Sequence, residues 1–211
     1  QEQQQEMQAG AAESESGIRS TVTQGTSSAV VTDVTEVVEN TMPSIVSITN
    51  QMIISGTDFW GQNMQQEQEA AGSGIIIGEN DNELLVVTNN HVVADSNKIS
   101  VKFIDDEVVE AQIKGTSPSM DLAVIAVKLS DVKDSTKDSI AIATMGDSDT
   151  LKVGEPVIAI GNALGYGQSV TTGVVSALNR TLEVSETGTS NALIQTDAAI
   201  NPGNSGGALL D

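Results

Sequence analysis

The sequence contains no cysteine, few aromatic residues and few basic residues. The absence of cysteine excludes a disulfide framework and a thiolate metal site. Aromatic residues make up only 2% of the 211 residues, so the core must be built from aliphatic side chains, which favours strands over helices. Nine Lys and Arg residues oppose 29 Asp and Glu, and the net charge of -20 argues against nucleic-acid binding. An acidic surface indicates solubility, or else attraction of basic substrates.

Long hydrophobic runs are also missing. Apolar runs such as residues 74–78 and 84–87 have the length of a strand, whereas a membrane-spanning helix needs about 20 residues. The chain begins with Gln1 and carries no signal-peptide pattern, so we expect that an N-terminal piece was removed or precedes it. Residues 1–33 are polar and lack aromatic side chains, and we expect them to form a disordered linker.

The remainder of the chain shows the pattern of an all-β protein. A short helical turn is expected over residues 34–40, ended by Pro43. Residues 55–71 are interpreted as a polar loop with an aromatic tip at Phe59 and Trp60. Short strands separated by turn residues are predicted at 44–49, 74–78, 84–88, 99–104, 108–113, 122–127, 140–143, 156–160, 170–176 and 192–195. Such a series is typical of antiparallel sandwiches or barrels, and the lack of long helical periodicity argues against an α/β fold.

Three residues form a candidate catalytic set. His91 is the only histidine, Asp121 precedes an apolar strand, and Ser205 lies between glycines. Each alone has an ordinary structural explanation, but their order along the chain is that of the chymotrypsin-type arrangement. A serine becomes nucleophilic when an imidazole accepts its proton, and the imidazole needs a carboxylate to fix its tautomer. Candidate oxyanion-hole donors are the backbone amides of the same turn, at Gly203, Asn204 and Ser205, chiefly the first and the last.

Five motifs resemble the HtrA/DegP family of trypsin-like serine proteases. They are GSGI at 72–75, TNNHVV at 88–93, DLAV at 121–124, GNALG at 161–165 and QTDAAINPGNSGG at 195–207. The resemblance covers residues 34–211 and implies a chymotrypsin/trypsin-like double β-barrel. The first barrel is expected at about 42–130 and a partial second barrel, incomplete at the C-terminus, at about 138–211. The resemblance implies that His91 is the general base, that Asp121 is its orienting acid and that Ser205 is the nucleophile.

One position distinguishes this sequence from the digestive serine proteases. Asn204 stands where those enzymes carry an aspartate that pairs with a newly released N-terminus, and an uncharged amide cannot form that ion pair. We therefore expect no activation by zymogen cleavage. The resemblance implies switching by loop rearrangement instead, with loops at 162–168 and 182–190, the second polar and mobile.

The resemblance also implies a biological setting. It predicts an endopeptidase of protein quality control that cuts unfolded or misfolded polypeptides after small aliphatic residues, without metal or organic cofactor. It further implies a homotrimer located outside the cytoplasm, in the periplasm or at the cell surface, with a membrane anchor only in a missing N-terminal segment. Family members continue with further strands and usually PDZ domains, whereas this chain ends at Asp211. We therefore expect a piece of a longer protein, without a PDZ domain and inactive by itself.

Two other interpretations stay open. The chain could be a catalytically inactive fragment or a chaperone-like β-barrel binding module that keeps the catalytic residues by descent. A fluorophosphonate probe that fails to label Ser205 would favour this alternative. A structural β-sandwich without a site leaves the joint presence of the motifs unexplained.

Overall fold

A computed structural model describes residues 33–57, 63–162, 169–184 and 188–211. The linker expected at 1–33, apart from Asp33, lies outside the described residues. The aromatic tip at Phe59 and Trp60 and most of the expected loop at 162–168 also lie outside them.

The first half of the structure is a closed six-stranded barrel. Its strands are β1 (Ile45–Thr57), β2 (Asn63–Glu79), β3 (Glu83–Thr88), β4 (Lys98–Lys102), β5 (Val108–Ser117) and β6 (Leu122–Lys128). They pair antiparallel in the order β1-β2-β3-β6-β5-β4, and β1 closes the barrel by pairing with β4, with Ile48 opposite Val101. Side chains alternate between barrel interior and surface, as in β3, where every second residue is buried. The interior is aliphatic around one aromatic ring, Phe103, as the composition predicts.

The second half forms a curled antiparallel sheet. Its strands are β7 (Pro156–Gly161), β8 (Ser169–Val184), β9 (Gly188–Thr196) and β10 (Ala208–Leu210), in the order β10-β7-β8-β9. A small core of its own includes Val157 and Val175. Among the described residues this sheet makes a half-barrel beside the closed one, which confirms the predicted all-β, trypsin-like double-barrel fold with an incomplete second barrel.

Short helices connect the strands. Helix α1 (Thr35–Thr41) is followed by a 3₁₀ turn at Met42–Ser44, close to the helical turn expected from the sequence. Helix α2 (Asn90–Val93) follows β3, and helix α3 (Asp134–Lys137) follows the barrel. Within the described part of the chain, no helix is long and apolar enough to cross a membrane.

The prediction of a polar loop at 55–71 is wrong for all the described residues of that range, which belong to strands β1 and β2. The ends of β1 and β2 pair in unbroken register from Gln51 opposite Glu69 to Thr57 opposite Asn63. Backbone hydrogen bonds pair these two strands even where the side chains are polar, so polarity alone does not end a strand. The side chains of Gln51 and Glu69 are themselves hydrogen-bonded at 3.0 Å.

Two further expectations need correction. Residues 140–143 form no strand, because only isolated bonds hold them: the Ala141 amide donates to Pro43 O and the Ala143 amide to Ile76 O, at 3.1 and 2.8 Å. The loop expected at 182–190 is strand on both sides of residues 185–187, with Leu182 of β8 opposite Ser190 of β9. The mobility expected there remains untested.

Candidate active site

His91 lies on the exposed face of helix α2. The barrel strand β3 ends at Thr88, and the buried Val92 and Val93 fasten the helix to the barrel interior. Successive residues of a helix point in different directions, so the imidazole of His91 points away from the barrel interior while Val92 and Val93 face it. The His91 side chain is 56% exposed. The ring is therefore accessible from solvent while its backbone is fixed.

Asp121 reaches His91 through the pairing of β6 with β3. Thr88 lies opposite Ala123, so the residues just before β6 extend alongside the start of α2. The Asp121 backbone is left-handed, with φ 52° and ψ 43°. Its Oδ2 lies 2.7 Å from Nδ1 of His91, and its Oδ1 accepts the His91 backbone N–H at 2.9 Å. Because a carboxylate offers only acceptors, this contact places the proton on Nδ1 and leaves Nε2 free to accept another.

Ser205 lies in a tight turn between a 3₁₀ helix (Pro202–Asn204) and β10. Ser73 of β2 holds this turn from the first barrel: its backbone N–H donates to Ser205 O at 2.8 Å, and its hydroxyl donates to Gly203 O at 2.9 Å. The Ser205 side chain is partly exposed. Among the described residues no hydrogen bond joins its hydroxyl to His91, and such bonds are often long in the absence of substrate.

The backbone amides of the turn fall into two groups. The Asn204 amide donates to Asn201 O at 2.9 Å and is already engaged. The amides of Gly203 and Ser205 find no acceptor among the described residues. These two N–H groups are therefore free to bind an anionic oxygen.

Glycine is required on both sides of the nucleophile turn. Gly206 has φ +80°, and a Cβ there would clash with the carbonyl oxygen of Ser73 and the hydroxyl of Thr88. Gly161 of β7 faces Asn204, and a Cβ on it would come within 2.6 Å of the Asn204 Cα. The side chain of Asn204 is nearly buried and donates to Ala199 O at 3.2 Å.

The sequence did not single out two residues of the site. Ser73 is completely buried and anchors the nucleophile turn. The side-chain amide of Asn89 donates to Asp121 O at 2.8 Å, and its Oδ1 accepts the Gly206 N–H at 2.6 Å. Both residues lie inside motifs that carry the family resemblance, but a contact between distant turns leaves no periodic signal in a sequence.

No described group of three His, Asp or Glu side chains is arranged to hold a metal ion. The chemistry available from the described residues is that of an imidazole oriented by a carboxylate, a serine hydroxyl in a fixed turn and two free amides.

Comparisons with known proteins show the family of the chain. Residues 72–211 match the family of trypsin-like peptidase domains. The chain is 39% identical over 186 residues to the serine protease Do-like HtrA of Bacillus subtilis, covering 84% of this chain and 40% of that protein. It is 37% identical over 208 residues to a probable periplasmic serine endoprotease DegP-like of Pseudomonas putida, covering 85% of this chain and 41% of that protein.

Solved structures give the same result. The HtrA-type protease AlgW with tripeptide superimposes with a TM-score of 0.66 at 35% identity, covering 85% of this chain and 50% of that one. AlgW with decapeptide gives a TM-score of 0.63 at 34% identity, covering 82% of this chain and 54% of that one. The chain spans about two fifths of the length of the two sequence relatives named above. By its fold, its site geometry and these matches, the chain belongs to the trypsin-like peptidase domain family, among the relatives of the HtrA/DegP serine proteases.

Proposed function

We propose that the protein is a serine endopeptidase in which His91, Asp121 and Ser205 form a catalytic triad. The observation that carries this proposal is the two-point contact between the Asp121 carboxylate and His91, which leaves Nε2 as the free acceptor. A structural ion pair would not need the second contact to the His91 backbone. The nearby turn supplies a serine and two amides that find no acceptor among the described residues, and these are the remaining requirements of acyl transfer.

In the proposed mechanism the Ser205 Oγ attacks the carbonyl carbon of a peptide bond, and its proton passes to Nε2 of His91. The Asp121 carboxylate stabilises the resulting imidazolium without taking its proton. The amides of Gly203 and Ser205 bind the oxyanion of the tetrahedral intermediate. The C–N bond breaks as the leaving nitrogen takes the proton from His91, which leaves an acyl-enzyme.

The second half of the reaction repeats these roles with water. His91 removes a proton from a water molecule, the hydroxide attacks the acyl carbon, and the carboxylate product leaves as Ser205 regains its proton. The Asn204 amide is not assigned a role as an oxyanion donor, because it already donates to Asn201 O. No metal or organic cofactor is needed for any of these steps.

The proposed substrates are unfolded or misfolded polypeptides, cut after small aliphatic residues, in protein quality control outside the cytoplasm. The substrate class is supported by the relatives named as HtrA and DegP-like proteases and by AlgW structures that contain peptides. The location is supported by the periplasmic relatives. The exposed imidazole and carboxylate, 56% and 47% accessible, leave the site open to an extended chain. We further propose assembly as a homotrimer, on family resemblance.

The experiment compares hydrolysis of unfolded casein by the full-length protein and by its Ser205→Ala variant. We expect the wild type to release peptides and the variant to lose all but about one part in 10³ to 10⁶ of the rate, as in other proteases deprived of the nucleophile. Circular dichroism and thermal melting of both proteins control for folding. Equal rates in the two proteins would exclude Ser205 as the nucleophile.

A further inference from the structure

We propose that Asn89 is a positioning residue that ties the turn carrying the catalytic acid to the turn carrying the nucleophile. This inference rests on the proposed function, because it assigns Asn89 to the geometry of the same triad. Among the described residues, the Asn89 side chain makes no hydrogen bond to His91 Nε2 or to the Ser205 hydroxyl. It acts through the backbones of Asp121 and Gly206, which come from different halves of the structure.

Asn89 does not cap the helix that it precedes. It occupies the N-cap of helix α2, a position where asparagine is among the preferred residues because its side-chain oxygen accepts an N–H of the first helical turn. Here the side chain makes no capping bond. A residue type suited to capping is therefore used for another purpose.

The Asn89 side chain makes two other hydrogen bonds instead. The Nδ2 group donates to Asp121 O at 2.8 Å, and Oδ1 accepts the Gly206 N–H at 2.6 Å. The partners fix the amide's orientation, because exchanging its oxygen and nitrogen would oppose two acceptors on one side and two donors on the other. Among the described residues, no other side chain bonds both of these turns.

Both residues bonded by the Asn89 side chain, Asp121 and Gly206, have a positive φ. Asp121 has φ 52°, in the left-handed region that non-glycine residues rarely adopt, whereas Gly206 has φ +80°, which glycine adopts without strain. Such conformations persist when surrounding contacts determine them. The Asp121 carbonyl receives a second bond, from the Asn90 amide at 3.1 Å, so the segment at 89–91 holds both the carbonyl and the carboxylate of Asp121.

The bonds of Asn89 restrain the distance between the His91–Asp121 pair and Ser205. Asp121 orients His91, and Gly206 follows Ser205 directly. Because the Asn89 side chain bonds both Asp121 and the residue after Ser205, it restrains the separation of the orienting acid and the nucleophile. A misplacement of about 1 Å can lower the rate by about 10²-fold. Ser73 anchors the carbonyls of the nucleophile turn but makes no side-chain bond to Asp121, so it cannot supply this restraint alone.

Two substitutions at Asn89 separate its bonds. Asn89→Ala removes both, whereas Asn89→Asp keeps an acceptor for the Gly206 N–H and loses the donor to Asp121 O. In the full-length protein we expect both variants to lower kcat on a peptide substrate by about tenfold to hundredfold, with KM within about threefold of wild type. The rate of fluorophosphonate labelling should fall in parallel.

Asn50 offers a matched control for lost stability. Asn50 is a buried asparagine of β1 whose Nδ2 donates to Val92 O at 3.1 Å and to Ala94 O at 2.9 Å, and among the described residues its side chain bonds neither turn. We expect Asn50→Ala to lower Tm at least as much as Asn89→Ala while kcat stays within about threefold of wild type. If the two variants lose kcat in proportion to their loss of Tm, Asn89 is merely structural and the proposal fails.

Amide hydrogen exchange at Gly206 reads the bridge independently of catalysis. We expect exchange to be at least about tenfold faster in Asn89→Ala than in wild type, and unchanged in Asn89→Asp, which retains the acceptor. Unchanged exchange in Asn89→Ala, or wild-type kcat in either variant, would overturn the bridging role. A wild type inert to fluorophosphonate would instead overturn the proposed protease function, and the Gly206 exchange rates would still decide whether the bridge exists.

Discussion

The two-point contact between Asp121 and His91 makes Asp121→Asn an informative substitution. The carboxylate uses one oxygen for the His91 backbone N–H and the other for Nδ1. An asparagine has one oxygen and one NH₂ group for the same two places. If the oxygen stays on the backbone N–H, the NH₂ faces Nδ1, and the ring must then carry its proton on Nε2, where it cannot accept the serine proton.

The alternative orientation of the asparagine is also unfavourable. With its oxygen on Nδ1 the ring keeps the productive tautomer, but the NH₂ group then opposes the His91 backbone N–H, and a donor left without an acceptor costs about 1–3 kcal/mol. We therefore expect the unproductive tautomer to dominate. The corresponding change in a triad of this type lowers kcat by about 10⁴, which corresponds to about 5 kcal/mol in the activation free energy.

The stability of the variant should change little by comparison. The two side chains are 56% and 47% exposed. A contact between side chains this accessible to solvent contributes about 0–1 kcal/mol to folding. A peptide-hydrolysis assay beside thermal melting should therefore show kcat reduced by about 10⁴ with a Tm within about 4 °C of wild type. A loss of activity smaller than about tenfold in a folded variant would show that Asp121 does not set the tautomer of His91, and the orienting role would have to be abandoned.

Three further substitutions test the framework of the site. Gly206→Ala places a Cβ on a residue with φ +80° and against the Thr88 hydroxyl. We expect this variant to lose casein hydrolysis and to have a lower Tm than wild type. An active, stable variant would contradict the turn geometry. Phe103→Ala in the barrel core should reduce the free energy of unfolding by about 3–5 kcal/mol in a urea titration, and a loss below about 1 kcal/mol would mean that the ring is not packed as described. The Thr136 hydroxyl holds the pKa of Asp105 below its ordinary value of about 4, so the ionised carboxylate stabilises the fold above that pH, and this stabilisation is lost as pH falls through the lowered pKa. Thr136→Val should raise the pKa of Asp105 in an NMR titration. An unchanged pKa would exclude the hydrogen bond.

The β-strand framework could be predicted because its physical cause is local. Alternating burial, as in β3, follows from side chains that point to opposite faces of a strand. The long hairpin of β1 and β2 could not be predicted in the same way. Its end from Gln51 to Thr57 is paired by backbone bonds to the facing strand, and those bonds do not depend on whether the side chains are apolar.

The candidate site shows the same division. The sequence predicts His91, Asp121 and Ser205 as a set, because their chemistry restricts the residue types and the family motifs surround them. The contact of Asp121 with His91 depends on the register of β6 against β3, which the sequence does not display. The bonds of Asn89 depend on turns that are far apart along the chain and adjacent only in the folded structure.

The central claim is that Ser205 is a nucleophile activated by His91, and covalent labelling tests it most directly. The full-length protein is treated with a fluorophosphonate, and the modified residue is located by peptide mapping with mass spectrometry. We predict a single adduct on Ser205 in the wild type and none in a folded His91→Ala variant over the same time. An adduct on another serine, equal labelling of Ser205 without the imidazole, or no adduct on the wild type would each be incompatible with the triad.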